Sequence, residues 1–321
     1  MTDSFSHKPD YQALQQAAEW YAQLLEAGPQ TEIHLRWSVW LNASEENRHA
    51  WHYVQAVSQR FQPLNGEIAS AAADTLLSPS RIMGRRRALK LTAFFASGTL
   101  LSWLTYRHTP LLAFTADYHS AVGEIKQLTL QDGTRLWLNT SSAVDVRYDE
   151  QRRQIVLLSG DLLIETARDW RPLFVSSAQG QMQALGTRFS VEQHDSSTHL
   201  AVYNGSVEVS ATNGFILRRV NAGQQLDFDR FGKGVLSPSA NVDASWSEGV
   251  LQANNTPLGE IIKQLARYRY GYLACDPDIA DLQVMGAFPL TDTDKSLAML
   301  AQIFPVRIHR RFSWWVTVEK L

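Results

Sequence analysis

The sequence contains a single cysteine, Cys275, among its 321 residues. One cysteine cannot form an intramolecular disulfide, and it cannot build a cysteine zinc cluster. We expect Cys275 to be a small buried hydrophobic side chain rather than a nucleophile. The single cysteine therefore excludes stabilisation by a disulfide or by a cysteine zinc cluster. It does not show in which cellular compartment the protein lies.

An excess of one charge is also missing. The chain has 30 Lys and Arg residues against 32 Asp and Glu residues, which leaves a formal net charge of −2. A nucleic-acid-binding protein normally shows a strongly basic face, so direct nucleic-acid binding is not expected. Aromatic residues make up 10% of the chain and include ten tryptophans. This composition argues against wholesale disorder, and the length allows two or three domains with cores of their own.

The motifs of common enzyme sites are absent as well. The sequence has no phosphate-binding loop, no nucleophile elbow and no paired CxxC motif. Its histidines are scattered, and His49 and His52 share one helical turn without an acid at metal-site spacing. We therefore predict that the protein is not an enzyme and that it needs no cofactor and no metal.

Long hydrophobic runs are scarce, with one exception near the first third of the chain. Residues 91–106 carry no charged side chain. This run is slightly shorter than the roughly 17 to 25 residues that a membrane-spanning helix needs, but flanking Lys and Arg side chains can extend the span. We predict a transmembrane helix over residues 91–107, preceded by a basic linker over residues 76–90. A buried core helix is the alternative.

The charges beside this run predict its orientation. Four basic residues precede it closely, namely Arg85, Arg86, Arg87 and Lys90. Only Arg107 follows closely. The positive-inside rule then places residues 1–90 in the cytoplasm and residues 107–321 outside it. In a bacterium this is a single-pass inner-membrane protein whose residues 107–321 lie in the periplasm. Arg85 and Arg86 also resemble a twin-arginine export motif, and a plain cytoplasmic charge flank is the alternative interpretation.

Three amphipathic segments predict a small helical domain over residues 1–75. Apolar residues recur every three to four positions in residues 11–27, after Thr31 and after Ser44. Ser44 is a hydroxyl cap followed by two acids, which is a typical helix start. Four tryptophans lie in these segments, namely Trp20, Trp37, Trp40 and Trp51. They either fill the core or line a groove for a partner, because tryptophan is favoured at interface hot spots.

The remainder of the chain has a different pattern. Short alternating segments separated by turn signals such as Asp132-Gly133 predict an all-β domain over residues 108–240. Residues 241–321 read as strand, helix and strand twice over. The predicted fold class is therefore multidomain α + β: an N-terminal small helical bundle, one transmembrane helix, an all-β periplasmic domain, and a C-terminal small α/β domain with two strand-helix-strand units.

Several ordered motifs resemble the FecR family of transmembrane anti-sigma regulators over nearly the whole chain. In the helical part these are Trp37, Trp40-Leu41 and Ala50-Trp51. In the β part they are Val122-Gly123-Glu124, Leu130-Gln131-Asp132-Gly133-Thr134, Leu138-Asn139 with Ser142, Leu158-Ser159-Gly160, Arg171-Pro172, Leu185-Gly186-Thr187-Arg188-Phe189, Gly205-Ser206-Val207 and Ala222-Gly223-Gln224.

The sequence departs from the family pattern at a few positions, namely Asn47, Leu162 to Ile164, and Asn204. The last part resembles the short secretin and TonB N-terminal domain. The residues that carry this resemblance are Trp246, Gly249, Leu251, Pro257-Leu258, Gly286 and Phe288.

The resemblance implies a regulator that binds an extracytoplasmic-function sigma factor in the cytoplasm. It also implies a periplasmic signal from the signalling domain of a TonB-dependent outer-membrane siderophore receptor, release by envelope proteases, and control of iron-uptake genes. The expected sigma-facing residues are Trp20, Leu24, Trp37, Trp40, Leu41 and Trp51. The alternatives are an envelope structural or polysaccharide-binding protein with a helical membrane anchor, and a soluble enzyme.

The Gly186-Thr187 peptide bond is a candidate for self-cleavage. Between two predicted strands, a strained turn at Gly186-Thr187 could aim the threonine hydroxyl at the preceding carbonyl, shift the acyl group to oxygen and leave an ester that water cleaves. A glycine turn followed by an ordinary strand threonine is the alternative. The family resemblance adds support for self-cleavage, because some members cleave themselves at the matching Gly-Thr bond, and the two interpretations stay open.

Overall fold

A computed structural model describes residues 9–26, 32–59, 61, 116–212, 216–238 and 244–321. Within these residues the chain forms three units: a helical domain, a β domain and a C-terminal domain of strands and helices. Each unit is built around a hydrophobic cluster of buried side chains.

The helical domain has three helices: α1 (Tyr11–Glu26), α2 (Glu32–Ala43) and α3 (Glu45–Gln59). Asp10 caps α1 by accepting a hydrogen bond from the Gln12 backbone N–H, and Ser44 caps α3 by accepting one from the Asn47 N–H. Small side chains such as Ala17 are fully buried between α1 and α3. These alanines let the two helices approach closely, so the core of the domain lies mainly between α1 and α3.

The β domain contains thirteen strands in its described residues. They are β1 (Tyr118–His119), β2 (Lys126–Thr129), β3 (Arg135–Leu138), β4 (Ala143–Tyr148), β5 (Arg153–Glu165), β6 (Leu173–Ser176), β7 (Gly180–Ala184), β8 (Arg188–Gln193), β9 (Ser197–Asn204), β10 (Ser206–Ala211), β11 (Ile216–Asn221), β12 (Gln224–Asp229) and β13 (Gly234–Pro238). The strand order along the main path is β11-β10-β7-β6-β5-β8-β9-β12-β13.

The long strand β5 joins the two halves of this sheet. Its first half pairs with β4 and β6, and its second half pairs with β3 and β8. The change of partners falls at Gly160, which has a φ of +81°. A side chain at Gly160 would also collide with Ser142, whose Cα lies 2.6 Å from where the Cβ would be. Glycine is therefore required where β5 turns the corner around the core.

The C-terminal domain repeats one pattern. Its elements are β14 (Val250–Pro257), α4 (Leu258–Arg267), β15 (Tyr272–Cys275), β16 (Gln283–Pro289), α5 (Thr293–Ile303), β17 (Val306–Phe312) and β18 (Trp315–Lys320), with one-turn helices at Ser245–Glu248 and Pro277–Ile279. β14 pairs with β16, while β15, β18 and β17 form a second sheet in that order. Side chains of α4 and α5 share one hydrophobic cluster with residues of both sheets.

The helical domain lies on the second sheet of the C-terminal domain. In β18, Val316 and Val318 belong to the domain's own core, whereas Trp315 joins the cluster of the helical domain. This split follows the two-residue alternation of a strand. Trp314 and Tyr272 belong to the same shared cluster and are buried with Trp315. The helical domain and the C-terminal domain therefore have one hydrophobic cluster in common.

The predicted fold class is wrong in its transmembrane helix. No helix in the described part of the chain is long and apolar enough to cross a membrane. Residues 91–107, where the helix was predicted, lie outside the described residues, as do the basic residues Arg85, Arg86, Arg87 and Lys90. The corrected fold class is three short helices followed by a large, mostly β part that ends in the C-terminal α/β domain.

The contact between the helical and C-terminal domains predicts a specific cross-link. Glu19 of α1 and Arg311 of β17 form an ion pair with Oε1 and Nη2 3.1 Å apart. In a Cys275→Ser background, a full chain carrying Glu19→Cys and Arg311→Cys should be joined by a short bismaleimide reagent. The product is detected by mass spectrometry, and each single-cysteine variant is the control. Two cysteines that both react with a monofunctional maleimide but never cross-link would contradict the contact.

Candidate functional site

The outer face of α2 is the least covered part of the helical domain. None of the described side chains of α2 is buried. Leu35 and Val39, which are one helical turn apart, are 70% and 72% exposed, and Leu25 in the last turn of α1 is 63% exposed. A helix with apolar side chains on both its inner and its outer face is suited to lie between two protein surfaces. We call Leu35 and Val39 the outer α2 face.

The inner side of α2 holds three of the six predicted sigma-facing residues, namely Trp37, Trp40 and Leu41. Trp37 packs against Trp51 with ring centroids 5.1 Å apart, and Trp40 lies 6.4 Å from Trp20. The Trp40 indole donates a hydrogen bond to the Gln16 side chain. Trp51 is buried in the core. The other predicted residues are half-buried, namely Trp20, Leu24, Trp37, Trp40 and Leu41.

The predicted residues therefore pack beneath the outer α2 face and are not part of it. In this helix the predicted sigma-facing residues are Trp37, Trp40 and Leu41, which pack with the cluster on its inner side. Leu35 and Val39 lie on the outer side of the helix and were not predicted to face the sigma factor. The available signal was the presence of large apolar residues at positions that an ordinary amphipathic helix fills with polar ones.

The opposite side of the helical domain contacts the C-terminal domain. Tyr21 meets Phe312 and Trp314 edge to face, and Phe61 stacks on Trp314 with centroids 5.9 Å apart. Tyr53 meets Tyr272 edge to face. Polar pairs lie beside these aromatic contacts: Gln15 donates to Glu319, and Arg311 donates to Glu19. The helical domain is thus covered on this side, while the outer α2 face is open.

The Gly186-Thr187 bond forms a second candidate site in the β domain. It lies between β7 and β8, and Gly186 has a φ of +75°, a conformation that favours glycine. Thr187 is only 4% exposed. Its hydroxyl oxygen is buried without a hydrogen-bond partner, while its backbone N–H donates to the Thr166 hydroxyl at 2.8 Å. A buried, unpaired hydroxyl beside a left-handed glycine makes Thr187 a candidate nucleophile for the preceding peptide bond.

A partly buried ionic cluster joins the β domain to the C-terminal domain. Arg267 of α4 donates to Asp161 of β5 at 2.7 Å and lies 3.4 Å from Glu192 of β8. Tyr268 donates to Asn139, whose amide in turn donates to Asp161. Burial raises the pKa of Asp161 to about 6, and the nearby Arg267 opposes that rise. We call Asp161, Glu192 and Arg267 the interdomain cluster.

Cys275 and the histidines of α3 are weaker candidates for a reactive or metal-binding site. Burial raises the pKa of the Cys275 thiol to about 12, so the thiol is protonated at neutral pH and is a poor nucleophile. No group of three or more His, Cys, Asp or Glu residues that could hold a metal ion occurs within the described ranges. His49 is half-buried and His52 is exposed on α3.

Two family models match the chain, one before and one after the undescribed residues 62–115. Residues 116–208, which include β1 to β9 and the Gly186-Thr187 bond, match the FecR protein family. Residues 15–57, which include most of α1, all of α2 and most of α3, match the domain of unknown function DUF4880. The β domain is therefore a FecR domain. The predicted resemblance of the chain to the FecR family is confirmed.

Solved structures share the fold. Two crystal structures of a candidate anti-sigma factor from Parabacteroides distasonis are each 23% identical to this chain, with TM-scores of 0.50 and 0.51. Each alignment covers 64% of this chain and 98% of the other. At this identity the likeness concerns the fold. No protein with a curated description matches the chain.

Proposed function

We propose that this chain is a sigma factor regulator that binds its sigma factor through the helical domain. The observation that carries the proposal is the outer α2 face, where two large apolar side chains are exposed within the segment that matches DUF4880. The FecR domain and the fold shared with a candidate anti-sigma factor support the same reading. The protein then acts by binding a partner rather than by turning over a substrate.

Finer features of the proposal come from the family resemblance. The partner is an extracytoplasmic-function sigma factor, and the signal comes from the signalling domain of a TonB-dependent siderophore receptor, so that the output is control of iron-uptake genes. Envelope proteases release the sigma-binding part. The C-terminal domain is the proposed receiver of the signal, because the interdomain cluster connects it directly to the FecR domain.

Placement in the cell stays a prediction. The sequence predicts residues 1–90 in the cytoplasm and residues 107–321 in the periplasm. The aromatic contact between the helical and C-terminal domains requires both to share one compartment while it exists. One molecule cannot have its two domains in different compartments and in contact at the same time. The Glu19 to Arg311 cross-link forms only when the domains are in contact, so it distinguishes the two arrangements.

The proposal is tested by capture of a sigma factor. The tagged full chain, extracted under non-denaturing conditions, is incubated with each of the host's alternative sigma factors. We expect one of them to be retained in equimolar amount. Retention of none, by a chain whose circular dichroism is that of a folded protein, would contradict the regulator proposal. It would favour the alternative of an envelope structural or polysaccharide-binding protein.

We propose self-cleavage between Gly186 and Thr187 as a second activity. The Thr187 hydroxyl oxygen attacks the Gly186 carbonyl carbon, the C–N bond breaks, and the hydroxyl proton passes to the departing nitrogen. Water then hydrolyses the resulting ester, which gives a Gly186 carboxylate and restores the Thr187 hydroxyl. The buried and unpaired Thr187 hydroxyl supports this proposal.

Replacement of Thr187 by valine should abolish the cleavage, because valine has nearly the same shape but no nucleophile. Purified full chain is incubated without protease, and mass spectrometry follows the fragments 1–186 and 187–321. Thr187→Ser should still cleave, since it keeps the hydroxyl. Cleavage of the Thr187→Val variant at the wild-type rate would assign the cut to a contaminating protease.

A further inference from the structure

We propose that Thr166 is the residue that positions the Gly186-Thr187 bond for self-cleavage. This inference rests on the self-cleavage proposed above and adds a residue from a different part of the chain. Thr166 directly follows strand β5, whereas Thr187 directly precedes strand β8, and these two strands are paired. The pairing brings the two threonines together although 21 positions separate them in sequence.

Thr166 forms hydrogen bonds with both the backbone N–H and the carbonyl oxygen of Thr187. Its hydroxyl oxygen accepts a hydrogen bond from the Thr187 N–H at 2.8 Å, so it touches the nitrogen of the bond to be broken. The same hydroxyl donates to the Thr187 carbonyl oxygen at 3.1 Å. The Thr166 backbone N–H donates to that oxygen as well, at 3.0 Å. Three hydrogen bonds from one residue thus fix Thr187 while the Thr187 hydroxyl itself is left unpaired.

The Gly205 backbone packs closely against the Gly186-Thr187 peptide bond. A side chain at Gly205 would overlap the Gly186 carbonyl oxygen and would come within 2.8 Å of the Thr187 methyl carbon. Gly205 also has a φ of +78°, so glycine is favoured there on conformational grounds too. The reactive peptide is therefore held between the Thr166 hydroxyl and the Gly205 backbone, and it has little freedom to turn away from the attacking oxygen.

This arrangement favours the acyl shift in two ways. Before the shift, the hydrogen bonds of Thr166 keep the Thr187 backbone fixed, so the hydroxyl stays near the Gly186 carbonyl. After the shift, the nitrogen of Thr187 is a free amine. The Thr166 oxygen can still accept a hydrogen bond from that amine and hold it away from the ester. Return to the amide is then slower, and water has time to hydrolyse the ester.

The test compares self-cleavage of the full chain in four variants at neutral pH. We expect Thr166→Val and Thr166→Ala to slow formation of fragment 187–321 by about tenfold or more. Thr166→Ser should cleave within a few-fold of the wild type, because it keeps the hydroxyl. Thr198→Val is the matched control. Thr198 is a fully buried β-domain threonine whose hydroxyl bonds to Ser177 and Gln179, so its loss should leave the cleavage rate unchanged.

A second readout separates positioning from simple stability. Neutral hydroxylamine cleaves esters much faster than amides, so it should accelerate fragment formation in the wild type and in Thr166→Ser. In Thr166→Val the acceleration should be smaller, because less ester is present. Equal rates and equal acceleration in wild type and Thr166→Val would overturn the role of Thr166. A wild-type chain that never cleaves would overturn the self-cleavage proposal itself.

Discussion

Replacement of Arg267 by methionine should lower the free energy of unfolding at pH 7 by about 3 to 5 kcal/mol, the usual cost of removing one partner from a buried ion pair. Asp161 is almost fully buried, and Arg267 is the cation that pairs with it. Without Arg267 the Asp161 carboxylate would face Glu192 with no opposite charge between them. Urea denaturation followed by intrinsic fluorescence measures the loss.

An exposed ion pair supplies the control for this experiment. Arg147 pairs with Asp145 at 3.1 Å, but its side chain is 68% exposed. Arg147→Met should therefore change the free energy of unfolding by less than about 1 kcal/mol. The double variant Asp161→Asn with Arg267→Met should recover part of the stability, because it buries no unpaired charge. Equal effects of Arg147→Met and Arg267→Met would show that the interdomain cluster does not hold the two domains together.

The same cluster gives stability a defined pH dependence. The pKa of Asp161 is raised to about 6 in the folded chain, above its ordinary value of 3.8. Between these values the folded state binds more protons at this group than the unfolded state does. The contribution of Asp161 is thus fully present below about pH 4 and is lost as pH rises through 6. Arg267→Met should extend this loss to higher pH and enlarge it, because removal of the cation raises the pKa of Asp161 further.

Conversion of the outer α2 face to aspartates should reduce sigma factor affinity by roughly a hundredfold or more. Leu35 and Val39 are already exposed, so Leu35→Asp with Val39→Asp adds little strain to the free protein. In a complex, the two carboxylates would be buried without partners, and that burial is costly. Isothermal titration calorimetry of the captured sigma factor against the wild-type and variant full chains measures the difference.

Two further variants make this result specific. Ala56→Asp places an aspartate at an exposed position of α3 and should bind the sigma factor like the wild type. Trp51→Ala should weaken binding only by unfolding the domain, because Trp51 is a core residue. Its circular dichroism should therefore change, whereas that of the aspartate variants should not. Wild-type affinity of the Leu35→Asp, Val39→Asp variant would move the binding surface elsewhere.

Local sequence patterns predicted much of the secondary structure. Residues 241–321 were predicted to form two strand-helix-strand units, and α4 and α5 each lie between two strands there. Asp132-Gly133 was predicted as a tight turn, and Gly133 has a φ of +85° between the paired strands β2 and β3. These features depend on neighbouring residues alone, through side-chain periodicity and the conformational freedom of glycine.

Features that depend on distant residues could not be predicted in this way. Asp161 and Arg267 are 106 positions apart, and nothing local marks them as partners. The sequence places Trp314 and Trp315 in the predicted C-terminal α/β domain, but it does not show that a helical domain covers them. The fold class that included a transmembrane helix was wrong, because no helix within the described ranges is long and apolar enough to cross a membrane.

Hydrogen-deuterium exchange of the full chain, with and without the captured sigma factor, shows which domain binds the sigma factor. Added protection should be concentrated in α2, Glu32–Ala43, because the outer α2 face becomes covered. The FecR domain should change little in the same experiment. Protection confined to the FecR or C-terminal domain, with α2 exchanging as it does in the free chain, would contradict the assignment of the helical domain as the sigma-binding part.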